Sequence, residues 1–162
     1  MPKLTGAPIM VHLSPWAQHG LFVIDLLEQE GVRPESIAIC HTDILLDVED
    51  MKKIMDRGVY LEFDNFGKEY YVDRWNRNLL KGSFAYDKER VMMLKKLIDR
   101  GYVKQLLITN DICLKSMLHN YGGWGYDHIG VNVLPMMEDY GITPEQIDSI
   151  TRDNAIDFLE RG

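Results

Sequence analysis

Four short apolar runs, each followed by a segment of helical periodicity that stops at a glycine, constrain this chain more than any other feature. The runs are Ala7–His12, Ser36–His41, Val59–Asp64 and Gln105–Asp111. None alternates apolar with polar residues, so each is expected as a strand buried on both faces, as parallel strands are. The helical segments Leu21–Glu30, Val48–Arg57 and Asp87–Arg100 stop at Gly31, Gly58 and Gly101. Glycine there suits a left-handed closing residue. Asp47 and Asp87 stand where N-caps are expected. After the fourth run come Val131–Tyr140, ended by Gly141, then Glu145–Ile150 opened by Thr143 and Pro144, and a tail helix Asn154–Leu159. The reading is a series of βα units in an α/β fold, with helices at the C-terminus.

Composition narrows the function classes. The chain has 162 residues, with 18 Lys+Arg against 25 Asp+Glu, a net charge of −7. That balance disfavours nucleic acid and anionic membrane as partners, since both need a basic face. No apolar run approaches the roughly 20 residues of a membrane span. Two cysteines, Cys40 and Cys113, offer neither a disulfide framework nor a CxxC pair, and the N-terminus has no signal-peptide pattern, so a cytoplasmic setting is expected.

Chemistry concentrates at the strand ends. His12, His41, Asp64 and Asp111 close the four runs. Parallel strands bring their C-terminal ends to one edge, where α/β folds bind ligands. Imidazole and carboxylate are ligands of divalent metals, although a single strand-end histidine is commonly just a hydrogen-bonded packing residue. Two histidines with an aspartate favour a metal. His19, His119 and His128 end no strand and are weaker candidates. Cys40 reads as packing, and Cys113 as a soft donor without a second thiolate.

Two connections are long, Asn65–Tyr86 and Ile112–Gly130. Within the second, Tyr121–Gly130 (YGGWGYDHIG) lacks the spacing of a phosphate-binding loop. It reads as an aromatic wall beside a substrate, with Trp124, Tyr126 and His128 as candidate contacts, or alternatively as a packed surface loop. Lys68–Trp75 reads as a lid whose Lys68 and Arg74 could meet an anion, or as a solvated charged loop.

The strings IMVHLSP, SIAICHTD, EFDNFGKE, LLITNDICLK and YGGWGYDHI, followed by NAIDFL, resemble the phosphotriesterase-related branch of the amidohydrolase superfamily, in order from Gly6 to Leu159. The resemblance implies a (β/α)8 TIM barrel with a two-metal centre at its C-terminal edge. It implies that His12 and His41, ending the family's fifth and sixth strands, hold the more exposed metal, and that Asp111, ending the eighth, binds the more buried one and accepts the proton of the attacking hydroxide. Asp64 would stand behind them.

The resemblance begins just before the family's fifth strand. Its strand-one HxH pair and strand-four lysine have no counterpart in the matched residues, and Lys3 is no substitute. Residues 1–162 are therefore expected as one partial domain, strands five to eight of a barrel. That domain would be the C-terminal half of a divalent-metal hydrolase (zinc, or manganese or cobalt) acting on phosphate esters, lactones or related esters. The alternative is a catalytically incomplete half-barrel that binds at most one metal and self-associates. The expected partners are a small-molecule ester and either an N-terminal half-barrel or another copy of the chain.

Overall fold

The computed structural model describes residues 5–14, 19–70 and 84–160. The four expected strands form, in shortened version: β1 (Ile9–Val11), β2 (Ile37–Ile39), β3 (Tyr60–Phe63) and β4 (Leu106–Ile108). They pair in parallel in the order β1-β2-β3-β4, with Ile9 opposite Ile37, Ala38 opposite Tyr60 and Leu61 opposite Leu106. Crossover helices α1 (Gly20–Gln29), α2 (Val48–Met55) and α3 (Asp87–Asp99) separate them.

Alternation along each strand sorts side chains to two sides. Ile37, Ile39, Leu61, Phe63 and Leu106 join Ile24 of α1, Met51 and Ile54 of α2, and Leu94 and Leu97 of α3 in one core. Ala38, Tyr60 and Leu107 meet Phe158 on the opposite side. Parallel strands in sequential order with their crossover helices in one core form a singly wound sheet; a doubly wound sheet reverses its strand order at a switch point. Among the described residues β1 and β4 each have one neighbour, and Met10 of β1 is 53% exposed.

The helix ends follow local chemistry. Asp47 caps α2, its carboxylate accepting from the backbone N–H groups of Glu49 (3.0 Å) and Asp50 (3.1 Å). Gly58 closes that helix at φ +88°, a conformation costly for any residue with a Cβ. Asp87 does not cap α3. It is the first residue of the helix; Tyr86 takes the cap position, its N–H donating to Glu89 Oε2 at 2.8 Å. The Asp87 carboxylate is drawn instead into a buried network described below.

The C-terminal helices α4 (Leu134–Asp139), α5 (Pro144–Asp148) and α6 (Asn154–Glu160) are joined to wider-turned segments at Ile129–Val133 and Ser149–Asp153. In the first, Leu134 N–H donates to Ile129 O, five residues back, just ahead of Pro135, which has no N–H to give. Thr143 caps α5 in a reciprocal box with Gln146, at 3.3 and 3.0 Å. Asn154 fastens α6 beneath the sheet by donating to Val103 O and Leu106 O. Among the described residues no helix is long and apolar enough to cross a membrane.

Candidate active site at the strand C-terminal edge

Each strand stops short of its chemical residue, so His12, His41, Asp64 and Asp111 lie one to three residues beyond β1, β2, β3 and β4. All four line one open depression of about 260 Å³, with Cys40 and Glu62 at its wall. His41 and Asp111 have φ of +60° and +42°, the only positive-φ residues other than glycine among those described. Strained backbone of this kind costs on the order of 1–3 kcal/mol and clusters at functional sites.

His12 and His41 meet directly. His12 Nδ1 and His41 Nε2 are 2.7 Å apart, the rings edge to face with centroids at 4.3 Å. The other nitrogen of His41, Nδ1, is 2.9 Å from Asp64 Oδ1, and its backbone N–H reaches both Asp64 oxygens at 3.2 and 3.0 Å. One carboxylate thus fixes the ring, its tautomer and the strained backbone. Burial, reinforced by nearby Asp43, pushes the Asp64 carboxyl up to about 7, while His41 pulls the other way.

Asp111 stands apart from the histidines. Its Oδ2 is ion-paired with Nζ of Lys68, whose side chain is buried. Lys68 is therefore not on a solvated loop; it is buried against Asp111. Arg74, the other cation expected to meet an anion, and the rest of the loop to Trp75 from residue 71 lie outside the described residues, as does Lys3. Among the described residues, Cys40, Glu62 and Asp64 bring three potential metal-ligand atoms within 4.8 Å of one another.

Cys40 is half-buried and hydrogen-bonded to Glu62; burial first and that carboxylate second push its thiol well above the usual range, so it stays protonated. Cys113 is exposed. Iodoacetamide at pH 8 is expected to label Cys113 alone, one adduct per chain by intact mass, and rapid double labelling would contradict the protected thiol at Cys40. His19 sits at the start of α1 without a capping bond, and His119 is exposed and paired with Asp127 at 2.6 Å.

A chain of buried polar groups leads away from His41. Asn65 Nδ2 donates to Asp64 Oδ1 and to Asp43 Oδ1, both at 2.6 Å, and Asn65 N–H donates to Asp43 Oδ2 at 2.9 Å. Asp43 and Arg90, both fully buried, pair at 2.9 Å. Arg90 Nη1 donates to Asp87 Oδ1 at 2.9 Å, and Asp87 Oδ2 accepts from His128 Nε2 at 2.7 Å. His128 Nδ1 is 3.0 Å from Asn132 Nδ2. Burial alone would raise the Asp87 carboxyl, but His128, the Gly67 N–H and Arg90 together hold it below the ordinary carboxylate value.

Of the expected substrate contacts, Trp124 and Tyr126 are exposed, whereas His128 is buried with both ring nitrogens engaged. Trp124 stacks on His128, centroids 5.4 Å apart. The loop holding them needs Gly123: a Cβ there would lie 2.2 Å from the Met117 carbonyl carbon.

A profile of the phosphotriesterase family matches residues 2–159. The chain belongs to the phosphotriesterase family. It is 32% identical over 158 residues to a phosphotriesterase-related protein of Drosophila pseudoobscura pseudoobscura, covering 97% of this chain and 44% of that one. An N-acetyltaurine hydrolase of Danio rerio is 35% identical over 155 residues, 95% of this chain and 44% of that one. The crystal structure of the Escherichia coli phosphotriesterase homology protein, complexed with phosphate in its active site, superposes with a TM-score of 0.85 at 28% identity, over 98% of this chain and 50% of that one. The chain thus spans about half the length of the relatives it matches.

Proposed function

We propose that this member of the family supplies the C-terminal half of a divalent-metal-dependent hydrolase, with β1 to β4 as strands five to eight of a (β/α)8 barrel. The observation that carries the reading is the pair of imidazole nitrogens of His12 and His41, facing each other at 2.7 Å, with His41 braced from behind by Asp64. A histidine whose second nitrogen is held by a carboxylate is the usual arrangement of a metal ligand.

His12 Nδ1 and His41 Nε2 would hold the ion, and Asp111 would complete the protein's donor set. Zinc fits these nitrogen and oxygen donors, as do manganese and cobalt. When bound, the ion supplies a Lewis acid and lowers the pKa of a water. Asp64 keeps His41 in the tautomer whose Nε2 is free to donate its lone pair. Asp111, its Oδ2 engaged by Lys68, accepts the proton of the attacking water at its other oxygen. Lys68 holds that carboxylate in place by the ion pair at Oδ2.

The substrate class is esters of phosphoric and carboxylic acids, lactones included. The phosphate in the Escherichia coli structure supports the phosphoryl side of it, and the N-acetyltaurine hydrolase extends the acyl side to amides. The partner is an N-terminal half-barrel: open strand edges at β1 and β4 invite pairing, and three protein ligands make at most a single-metal site.

The test is reconstitution. Zinc-loaded chain mixed with a family N-terminal half carrying the strand-one HxH pair is expected to hydrolyse 4-nitrophenyl esters or aryl phosphates at least about a hundredfold faster than either half. Zinc binding without turnover, together with a stable homodimer by light scattering, would replace this reading with the self-associating, catalytically incomplete half-barrel.

A further inference from the structure

The buried groups that connect α3 to the loop after β4 line no part of the depression, yet they converge beneath an exposed aromatic ring that shares a crevice with Asn110 and Ile112. Asp87 uses both oxygens: Oδ1 takes Arg90 Nη1 at 2.9 Å and the Gly67 N–H at 3.0 Å, while Oδ2 takes His128 Nε2 at 2.7 Å. A carboxylate only accepts, so His128 Nε2 carries the proton and donates it to Asp87 Oδ2, and Nδ1 is left to accept from Asn132. The imidazole is fully satisfied and closed to solvent, which removes it from acid–base work on a substrate.

What His128 does present is its face. Trp124 lies on it at an interplanar angle of 28°, with 56% of the residue still exposed. The backbone of Gly67 packs so tightly against both rings that a Cβ there would be 3.2 Å from His128 and 3.4 Å from Trp124. Trp124 and His128 share a narrow crevice with Asn110 and Ile112, the residues flanking Asp111 in sequence. An exposed indole on a loop would ordinarily sample many rotamers. Here a buried imidazole hydrogen-bonded through both nitrogens holds it in place before any ligand arrives, and preorganisation of that kind favours binding.

We infer that Arg90, Asp87 and His128 are positioning residues that fix Trp124 as a preformed wall of the crevice it shares with Asn110 and Ile112, and that this wall selects substrates carrying a flat apolar group. Arg90 and Asp87 never touch the substrate; they act through His128. The statement about substrate rests on the hydrolase reading above, whereas the positioning of Trp124 does not.

The chain has three tryptophans, so replacing Trp16 and Trp75 by phenylalanine leaves emission from Trp124 alone. In that background Asp87→Asn and His128→Gln are each expected to raise acrylamide quenching of Trp124 about twofold, and the double variant no further, because the two substitutions break one connection. Zinc affinity is expected to stay within about threefold of the parent, since His12 and His41 are untouched. Gly67→Ala, which pushes on Trp124 without altering a charge, should shift the emission in the same direction. In the reconstituted enzyme Asp87→Asn is expected to raise KM for aryl esters about tenfold while kcat changes less than twofold, with methyl esters unaffected and Asp87→Glu partly restoring the aryl KM. Unchanged quenching in folded His128→Gln and Gly67→Ala chains would overturn the inference, even if Asp87→Asn fails to fold. If quenching responds but the parent binds no zinc and hydrolyses nothing, the hydrolase reading fails and the positioning of Trp124 stands.

Discussion

His41→Ala is expected to lower zinc affinity at least about a hundredfold, measured by competition with a chromophoric chelator at pH 7.5, with the far-ultraviolet circular dichroism of the chain retained. The size follows from what one side chain does at this edge. His41 supplies one of two converging imidazole nitrogens, and the substitution leaves His12 with an aspartate that is already engaged by Lys68. Asp64→Asn is the informative companion. The amide keeps the volume but offers one accepting oxygen where the carboxylate uses Oδ1 for Nδ1 and Oδ2 for the His41 backbone N–H, so a loss of about 10- to 100-fold is expected through orientation alone. The two effects should not add: once His41 is alanine, the bracing carboxylate has nothing to orient, and the double variant should match His41→Ala. Affinity unchanged in His41→Ala would refute the assignment of these histidines as ligands.

The sequence states the local part of this architecture plainly. Gly31, Gly58 and Gly101 end the crossover helices at positive φ, Asp47 caps where a cap is expected, and His12, His41, Asp64 and Asp111 reach one depression because parallel strands leave them at one edge. The strands are shorter than the apolar runs, and beyond β2 and β4 the backbone of His41 and Asp111 turns into the left-handed region.

What the sequence hides are pairings of charges far apart along the chain. Lys68 and Asp111 are 43 residues apart and Asp87 and His128 are 41 apart; Lys68 reads singly as an anion contact or a solvated charge, Asp87 as a cap, Asp111 as a metal ligand and His128 as a substrate contact, and none of these readings names its partner. Arg90 carried one legible sign. It lies four and seven residues before Leu94 and Leu97, on the apolar stripe of α3, where a cation requires a buried anion to answer it. The anion, Asp43, comes from the loop after β2, and only the tertiary fold brings the two together.

That pairing makes Asp43→Ala the substitution with the largest expected cost to stability, about 3–5 kcal/mol, the range found when one member of a buried ion pair is removed. Asp43 and Arg90 are both fully inaccessible to solvent. Arg90 Nε lies close enough to Asp43 to pair electrostatically without hydrogen-bond alignment, and Nη2 has no hydrogen-bond partner among the described residues, so the guanidinium depends on the two carboxylates around it. Alanine at 43 also strips the Asn65 N–H and amide of their acceptor. Urea unfolding followed by circular dichroism measures the loss. Asp43→Ala with Arg90→Met separates charge from packing, because it removes the unanswered cation and fills its volume with an apolar chain. The double variant should therefore be more stable than Asp43→Ala alone, Asp87 still being held by Gly67 and His128. If the two losses simply add, the cost lies in packing and in the Asn65 bonds, and the buried guanidinium is not what makes Asp43 necessary.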